Sequence, residues 1–215
     1  MKMRVRKSCG INYADVKRIL GENFVSPDDI SQARGVNYGK KILRGFAGSL
    51  PSEEELCQLR DEGFLLIAGA PVPIMTSGIK QILEIPVRRI NIGKRTFSQE
   101  EEISGVLKGV QDRVPVRWLM LRKSALLTTY KTAGEQKELI AEGEYVPNIA
   151  ELMWGIGACR AVHQVKLFPH IFVRTSSVMD NYLLHIGETN DEGVSIGSFW
   201  IEYRSIILGI ASARK

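Results

Sequence analysis

The chain has no apolar window approaching the roughly 18 residues that a membrane-crossing helix requires, which argues against a spanning segment. Its three cysteines, Cys9, Cys57 and Cys159, are an odd number at wide spacing. That pattern is no disulfide framework and fits a reducing compartment. The opening Lys2, Arg4, Arg6 and Lys7 carry the charge of a signal n-region, but Cys9, Gly10, Asn12, Asp15 and Lys17 interrupt any apolar stretch behind it. The expectation is a cytoplasmic protein without a membrane partner. No internal repeat, low-complexity stretch or evident linker is present.

What the chain does contain is ordinary core material. Of 215 residues, 44% are hydrophobic and 25% charged, enough for one large domain or two small ones without covalent staples. The net charge is +5. Much of the excess sits at Lys2, Arg4, Arg6 and Lys7 and again at Arg88, Arg89, Lys94 and Arg95. Such clusters suit an acidic partner, nucleic acid or protein, although they are more often simply a solvated face.

Four hydroxyl-to-carboxylate signals mark helix starts: Ser26-Pro27-Asp28-Asp29, Ser52-Glu53-Glu54-Glu55, Ser98-Gln99-Glu100-Glu101 and Thr132-Ala133-Gly134-Glu135. In each, the hydroxyl caps a backbone amide and the carboxylate three residues on answers it. With a further helix at 12–20 they give a helix-rich first half. Apolar runs at 64–68, 87–92 and 116–122 read as strands, the first leaving into the irregular Gly69-Ala70-Pro71-Val72-Pro73 loop. From Asn148 to about Gln164, Ile149, Leu152, Met153 and Ile156 fall on one helical stripe. Gly155 and Gly157 interrupt that helix at roughly 1 kcal/mol each relative to alanine, which points to a close approach by another backbone. Short strands follow at 171–174, 182–187, 194–201 and 206–211, with polar turns at 188–193 and 202–205 that predict hairpins.

The fold expected is therefore α+β: a helix-rich N-terminal half, then an antiparallel sheet of at least three strands packed on an amphipathic helix. If the chain divides, it does so near 109–115, giving an N-terminal region 1–110 and a C-terminal region 111–215, or else one continuous domain.

The stretch Val116-Arg117-Trp118-Leu119-Met120-Leu121-Arg122-Lys123 resembles part of a family of uncharacterised bacterial proteins. So do Glu144-Tyr145-Val146-Pro147-Asn148, Arg174-Thr175-Ser176-Ser177 and the ending Leu208-Gly209-Ile210-Ala211-Ser212-Ala213-Arg214-Lys215. The resemblance spans roughly the C-terminal half, with a fainter echo over 50–73. It implies that the second half is a unit and carries over no activity and no catalytic residue.

Catalytic and cofactor signatures fail on context. Gly193-Val194-Ser195-Ile196-Gly197 matches a nucleophile elbow, but it opens an extended run and no histidine follows Ser195. Cys159 and His163 share a helix face at i, i+4, yet a zinc site needs two more ligands and only His170, His185, remote cysteines or carboxylates remain. Gly155-Ile156-Gly157 lies inside a helix pattern, and Gly39-Lys40-Lys41 and Gly93-Lys94-Arg95 lack phosphate-loop spacing. No metal and no cofactor are expected.

The remaining special segment is 29–46. Ile30 and Ala33 would line a first helix, Gly35 would turn, Val36 would pack beneath, and Asn37 would cap a second helix bearing Tyr38, Lys40, Lys41 and Arg44. This resembles the helix-turn-helix of DNA-binding regulators but departs from it in one place, where the buried apolar residue expected near Lys41 is displaced to Ile42. The nucleic-acid-binding candidates are Arg4, Arg6, Tyr38, Lys40, Lys41 and Arg44. The leading expectation is a non-enzymatic binding or accessory protein with an acidic partner. The alternatives are a DNA-binding regulator using this segment and an enzyme whose site assembles from His163, Arg174 and His185.

Overall fold

The computed structural model describes residues 11–126 and 130–215. Cys9 and the candidates Arg4 and Arg6, with Lys2 and Lys7, lie outside the described residues. In chain order the elements are α1 (Tyr13–Leu20), β1 (Phe24–Val25), α2 (Pro27–Arg34), α3 (Gly39–Gly48), α4 (Glu53–Asp61) and β2 (Phe64–Ala68). Then come β3 (Ile74–Met75), α5 (Thr76–Ile82), β4 (Val87–Ile92), β5 (Arg95–Phe97), α6 (Glu100–Gly109), β6 (Arg113–Val114) and β7 (Trp118–Arg122). The chain finishes with α7 (Ala133–Lys137), β8 (Glu144–Tyr145), α8 (Ile149–His163), β9 (Phe172–Met179), β10 (Tyr182–Asn190), β11 (Gly193–Phe199), β12 (Leu208–Ile210) and β13 (Ala213–Arg214). The fold is α+β.

The helix starts follow the capping chemistry. Ser26, Ser52 and Thr132 each accept the amide of the third helical residue, and Asp29, Glu55 and Glu135 answer them. Asn12 and Asn148 do the same for α1 and α8. One start is shifted. Helix α6 has Gln99 rather than Ser98 at its N-cap, because Glu102 accepts both the Ser98 and Gln99 amides at 3.3 Å.

Two main sheets enclose the core. The first has the order β1-β2-β7-β13-β8, and the second β12-β9-β10-β11-β4-β5. Strands β9, β10 and β11 form the expected antiparallel trio. The expected second hairpin is absent: β12 pairs with β9 in parallel, and the far edge of β11 is taken in parallel by β4. With that edge occupied, the chain after β11 runs back across the sheet, and eight residues, 200–207, replace a tight turn. Strands from both sides of residue 110 pair in both sheets, so the 1–110 and 111–215 regions share their hydrogen-bonding frame.

Helix α8 lies between the two sheets. Trp154 Nε1 donates to the Ala68 carbonyl of β2 at 2.7 Å, and the Ile149 amide donates to Ser177 Oγ of β9 at 2.8 Å. Ile149, Leu152, Met153 and Ile156 are buried as expected, each contributing roughly 1.5–3 kcal/mol. The helix is not amphipathic, however: every residue from Ile149 to Cys159 is buried, as befits a helix with core on all sides. The glycines admit side chains rather than a backbone. A Cβ on Gly155 would stand 2.4 Å from Leu121 Cδ1, and one on Gly157 would stand 2.5 Å from Ile85 Cδ1.

Candidate binding face

The outer face of the second sheet, away from α8, carries the groups that ordinary packing leaves unexplained. Strand register puts Arg174, His185 and Gly197 side by side on β9, β10 and β11. Gly197 is required there, since a Cβ would meet His185 Nε2 at 2.3 Å. The imidazole lies across it, edge-on to Phe172 with centroids 4.7 Å apart and stacked on Phe199 at 4.4 Å and 8°. Tyr203 stacks in turn on Phe199 at 4.0 Å, folding segment 200–207 onto the face. Burial, and secondarily the Arg174 charge, pulls the His185 pKa down to about 3.

Arg174 is 1% exposed. Its Nη2 donates to the carbonyls of Tyr203 and Lys131. Its Nε and Nη1 are buried with no hydrogen-bond partner among the described residues, leaving three of the five guanidinium N–H donors uncommitted. No carboxylate among the described residues forms an ion pair with it, and burial lowers its pKa. Arg174 helps line a cavity of about 340 Å³ whose walls include Leu183, Ile210, Val146 and Ile201, closed on one side by Ala133 and Lys137 of α7. Ile201 brings segment 200–207 to the cavity, and the same segment exposes Trp200 (61%), Tyr203, Ile206 and Ile207. So many large apolar side chains in one exposed stretch are uncommon on a solvated surface, where such residues are usually scattered singly.

The other candidates are dispersed. His163 ends α8, and its Nε2 lies 2.9 Å from the Phe24 carbonyl oxygen, so that nitrogen carries the proton. It is remote in sequence and element from the Arg174–His185 pair. His170 is exposed in the connection before β9. Cys159, one turn before His163, is a buried thiol pushed up to about 12 by burial. Ser195 is buried in mid-strand and accepts from Arg88 Nη2 at 2.9 Å, so Gly193–Gly197 sits within β11 rather than at a strand-to-helix turn. Among the described residues no group of three or more His, Cys, Asp or Glu side chains is placed to hold a metal, and no helix is long and apolar enough to cross a membrane.

In the 29–46 segment, Gly35 takes the left-handed conformation (φ 65°) and Val36 is buried, as the turn requires. Tyr38 departs from the expectation. It precedes α3 at the N-cap, is 2% exposed, and donates its hydroxyl to the Gly69 carbonyl at 2.9 Å. A base-reading side chain must reach the groove, so Tyr38 is a core residue and not a reader. Asn37 accepts the Gly39 amide at 2.9 Å in a local turn instead of capping the helix. Lys40, Lys41 and Arg44 are exposed on α3. Of the central basic cluster, Arg88 and Arg89 are drawn to Glu188 at 3.6 and 3.2 Å, whereas Lys94 and Arg95 stand exposed on the β4–β5 hairpin.

Sequence reasoning named Arg174 and His185 but missed the cavity. A lone arginine inside the apolar 171–174 run was the available signal. The walls from α7 and segment 200–207 depend on tertiary placement. Comparison with protein-family models, curated proteins and solved structures returns no match.

Proposed function

We propose that this is a non-enzymatic binding or accessory protein with an acidic partner, engaged at the cavity beneath segment 200–207. Arg174 carries the reading. An isolated buried cation with unsatisfied donors is unfavourable, and native structures leave few such groups. A partner carboxylate that reaches Nε and Nη1, which are shielded from water in the free chain, supplies what the chain does not. The exposed apolar side chains of segment 200–207 give that partner surface to bury, which favours protein-type chemistry over a nucleic-acid backbone. Dispersed histidines support binding over catalysis. His185, neutral down to about pH 3, exchanges no proton near neutrality, where a general acid or base is useful.

The test uses tryptophan emission. Trp118 and Trp154 are buried and Trp200 is exposed, so a spectral shift on binding reports this face. Titration with defined peptides alternating glutamate and leucine should shift the emission, and Ile206→Asp should weaken the effect. Absence of any shift at micromolar protein in low salt would overturn the assignment of this face.

A second reading keeps the DNA-binding regulator, supported by Lys40, Lys41 and Arg44 exposed on one short helix. Three phosphate contacts give a log–log salt slope of about −2.7 on duplex DNA. DNA binding lost in Lys41→Glu, with Trp200 emission unmoved, would select it.

A further inference from the structure

The geometry points to a second contact for the acidic partner: a groove at the β4–β5 hairpin that takes one large apolar side chain from a segment whose flanking residues are carboxylates. The inference rests on the reading of an acidic protein partner and adds where its chain runs and what it carries. Strand alternation supplies the floor. Ile90, Leu184 and Ile186 share the core side of the second sheet and are buried. Ile92, Phe97 and Tyr182 follow them on the same side. With Val106 of α6 and Met179, these three stay only half-buried around a cavity of about 560 Å³, inside the range of roughly 300–1,000 Å³ in which pockets hold compact ligands. Apolar side chains that continue a core face yet remain open to water gain by being covered. The hairpin tip walls one side: Gly93 (φ 58°) turns against Tyr182, whose hydroxyl oxygen a Cβ would meet at 3.0 Å. Tyr182 also lies 4.5 Å, centroid to centroid, from the exposed Trp200, so the groove adjoins segment 200–207.

Charge selects the occupant. Lys94 and Arg95 line the rim, both exposed, and form no ion pair or side-chain hydrogen bond among the described residues. Arg88 and Arg89, by contrast, are drawn to Glu188. Asp180 is the single acid lining the groove and offsets only one of the two rim cations. An acidic segment therefore meets a net attraction and a basic one a repulsion. The apolar floor supplies most of the affinity, since exposed ion pairs contribute little each and act mainly on partner choice.

Tryptophan emission of the full chain, titrated with three capped pentapeptides, tests the groove. The first has phenylalanine between two pairs of glutamates, the second alanine in its place, and the third phenylalanine between two pairs of lysines. The glutamate–phenylalanine peptide should bind, with the alanine version about tenfold weaker and the lysine version also weaker at low salt. Added salt should shrink the difference between the two phenylalanine peptides. In the double variant Lys94→Glu/Arg95→Glu their order should invert. Both positions are exposed on the hairpin, and a misfolded chain would lose both peptides rather than exchange them. Equal binding of the glutamate and lysine peptides, or an order unchanged in the double variant, would overturn the groove. Binding that falls in Ile206→Asp but is untouched by the double variant would overturn the groove while leaving the outer face standing. No shift with these peptides or with the glutamate–leucine peptides would remove both. 3-Phenylpropionate binding as tightly as the glutamate–phenylalanine peptide would assign the groove to a small acid, and a dimer of the chain alone that the double variant dissociates would assign it to a second copy. Either result would overturn the partner segment.

Discussion

Two chemically identical substitutions should act in opposite directions, and the difference isolates the packing of the central helix. At Gly105 in α6 an added Cβ meets nothing within 4 Å, whereas at Gly157 in α8 it meets Ile85 Cδ1 at 2.5 Å and Leu83 Cδ1 at 2.8 Å. Alanine is favoured over glycine in either helix by about 1 kcal/mol. At Gly105 that gain stands alone. At Gly157 it is opposed by overpacking, typically 1–3 kcal/mol when surrounding side chains must leave their rotamers. Gly105→Ala should therefore raise the urea midpoint and Gly157→Ala lower it, with m unchanged in both. A stability difference of about 1 kcal/mol corresponds to about 2–4 °C in Tm for a chain of this size. Ile85→Val removes the nearest atom, so the Gly157→Ala and Ile85→Val cycle should show a coupling of about 0.5–3 kcal/mol. Equal stabilisation by the two glycine substitutions would refute the claim that side chains from the region before β4 seat against Gly157.

Three further outcomes follow from buried polar groups. Tyr38→Phe should lose about 1–2 kcal/mol in urea denaturation, because the Gly69 carbonyl is left without its buried donor, and should leave any DNA affinity unchanged. His185 binds a proton below pH 6.5 in the unfolded chain but only near 3 in the folded one. The unfolded state thus holds more protons between those values, and stability falls with decreasing pH across that window by at most about 1.4 kcal/mol per unit. His185→Phe should flatten this part of the urea-midpoint profile. Cys159, buried with its thiol near 12, should resist iodoacetamide at pH 8 in the native protein and react once urea unfolds it, as peptide mass mapping will show.

Local chemistry made the helices legible. Ser26, Ser52, Thr132 and Asn148 announce their helices because a cap is a contact within four residues, and the one-residue shift at Gln99 arose where Glu100, Glu101 and Glu102 offered competing carboxylates. The β9–β11 meander was equally readable from alternation and short polar turns. What stayed hidden was non-local. Nothing near residue 90 in sequence says that β4 will occupy the edge of β11, yet that pairing displaces the expected hairpin and sends 200–207 across the sheet face. The stripe Ile149–Ile156 correctly marked a buried side of α8 but was silent about the opposite side, where Trp154 is covered by the first sheet. At the candidate site, Arg174 and His185 could be named from sequence. Their burial, the missing counter-charge and the cavity walls required the crossing segment to be in place.

The most direct test of the central claim is the urea midpoint of Arg174→Met. If Arg174 is held uncompensated for an anion, methionine of similar length fills the site without a desolvated charge. The free protein should then become more stable by about 1–2 kcal/mol, since replacing buried ionic groups by apolar ones commonly stabilises by about 1–4 kcal/mol and the lost carbonyl contacts offset part of that gain. A loss of about 2 kcal/mol or more would contradict the account, because it would mean that Arg174 serves chiefly to fasten Tyr203 and Lys131 to the sheet.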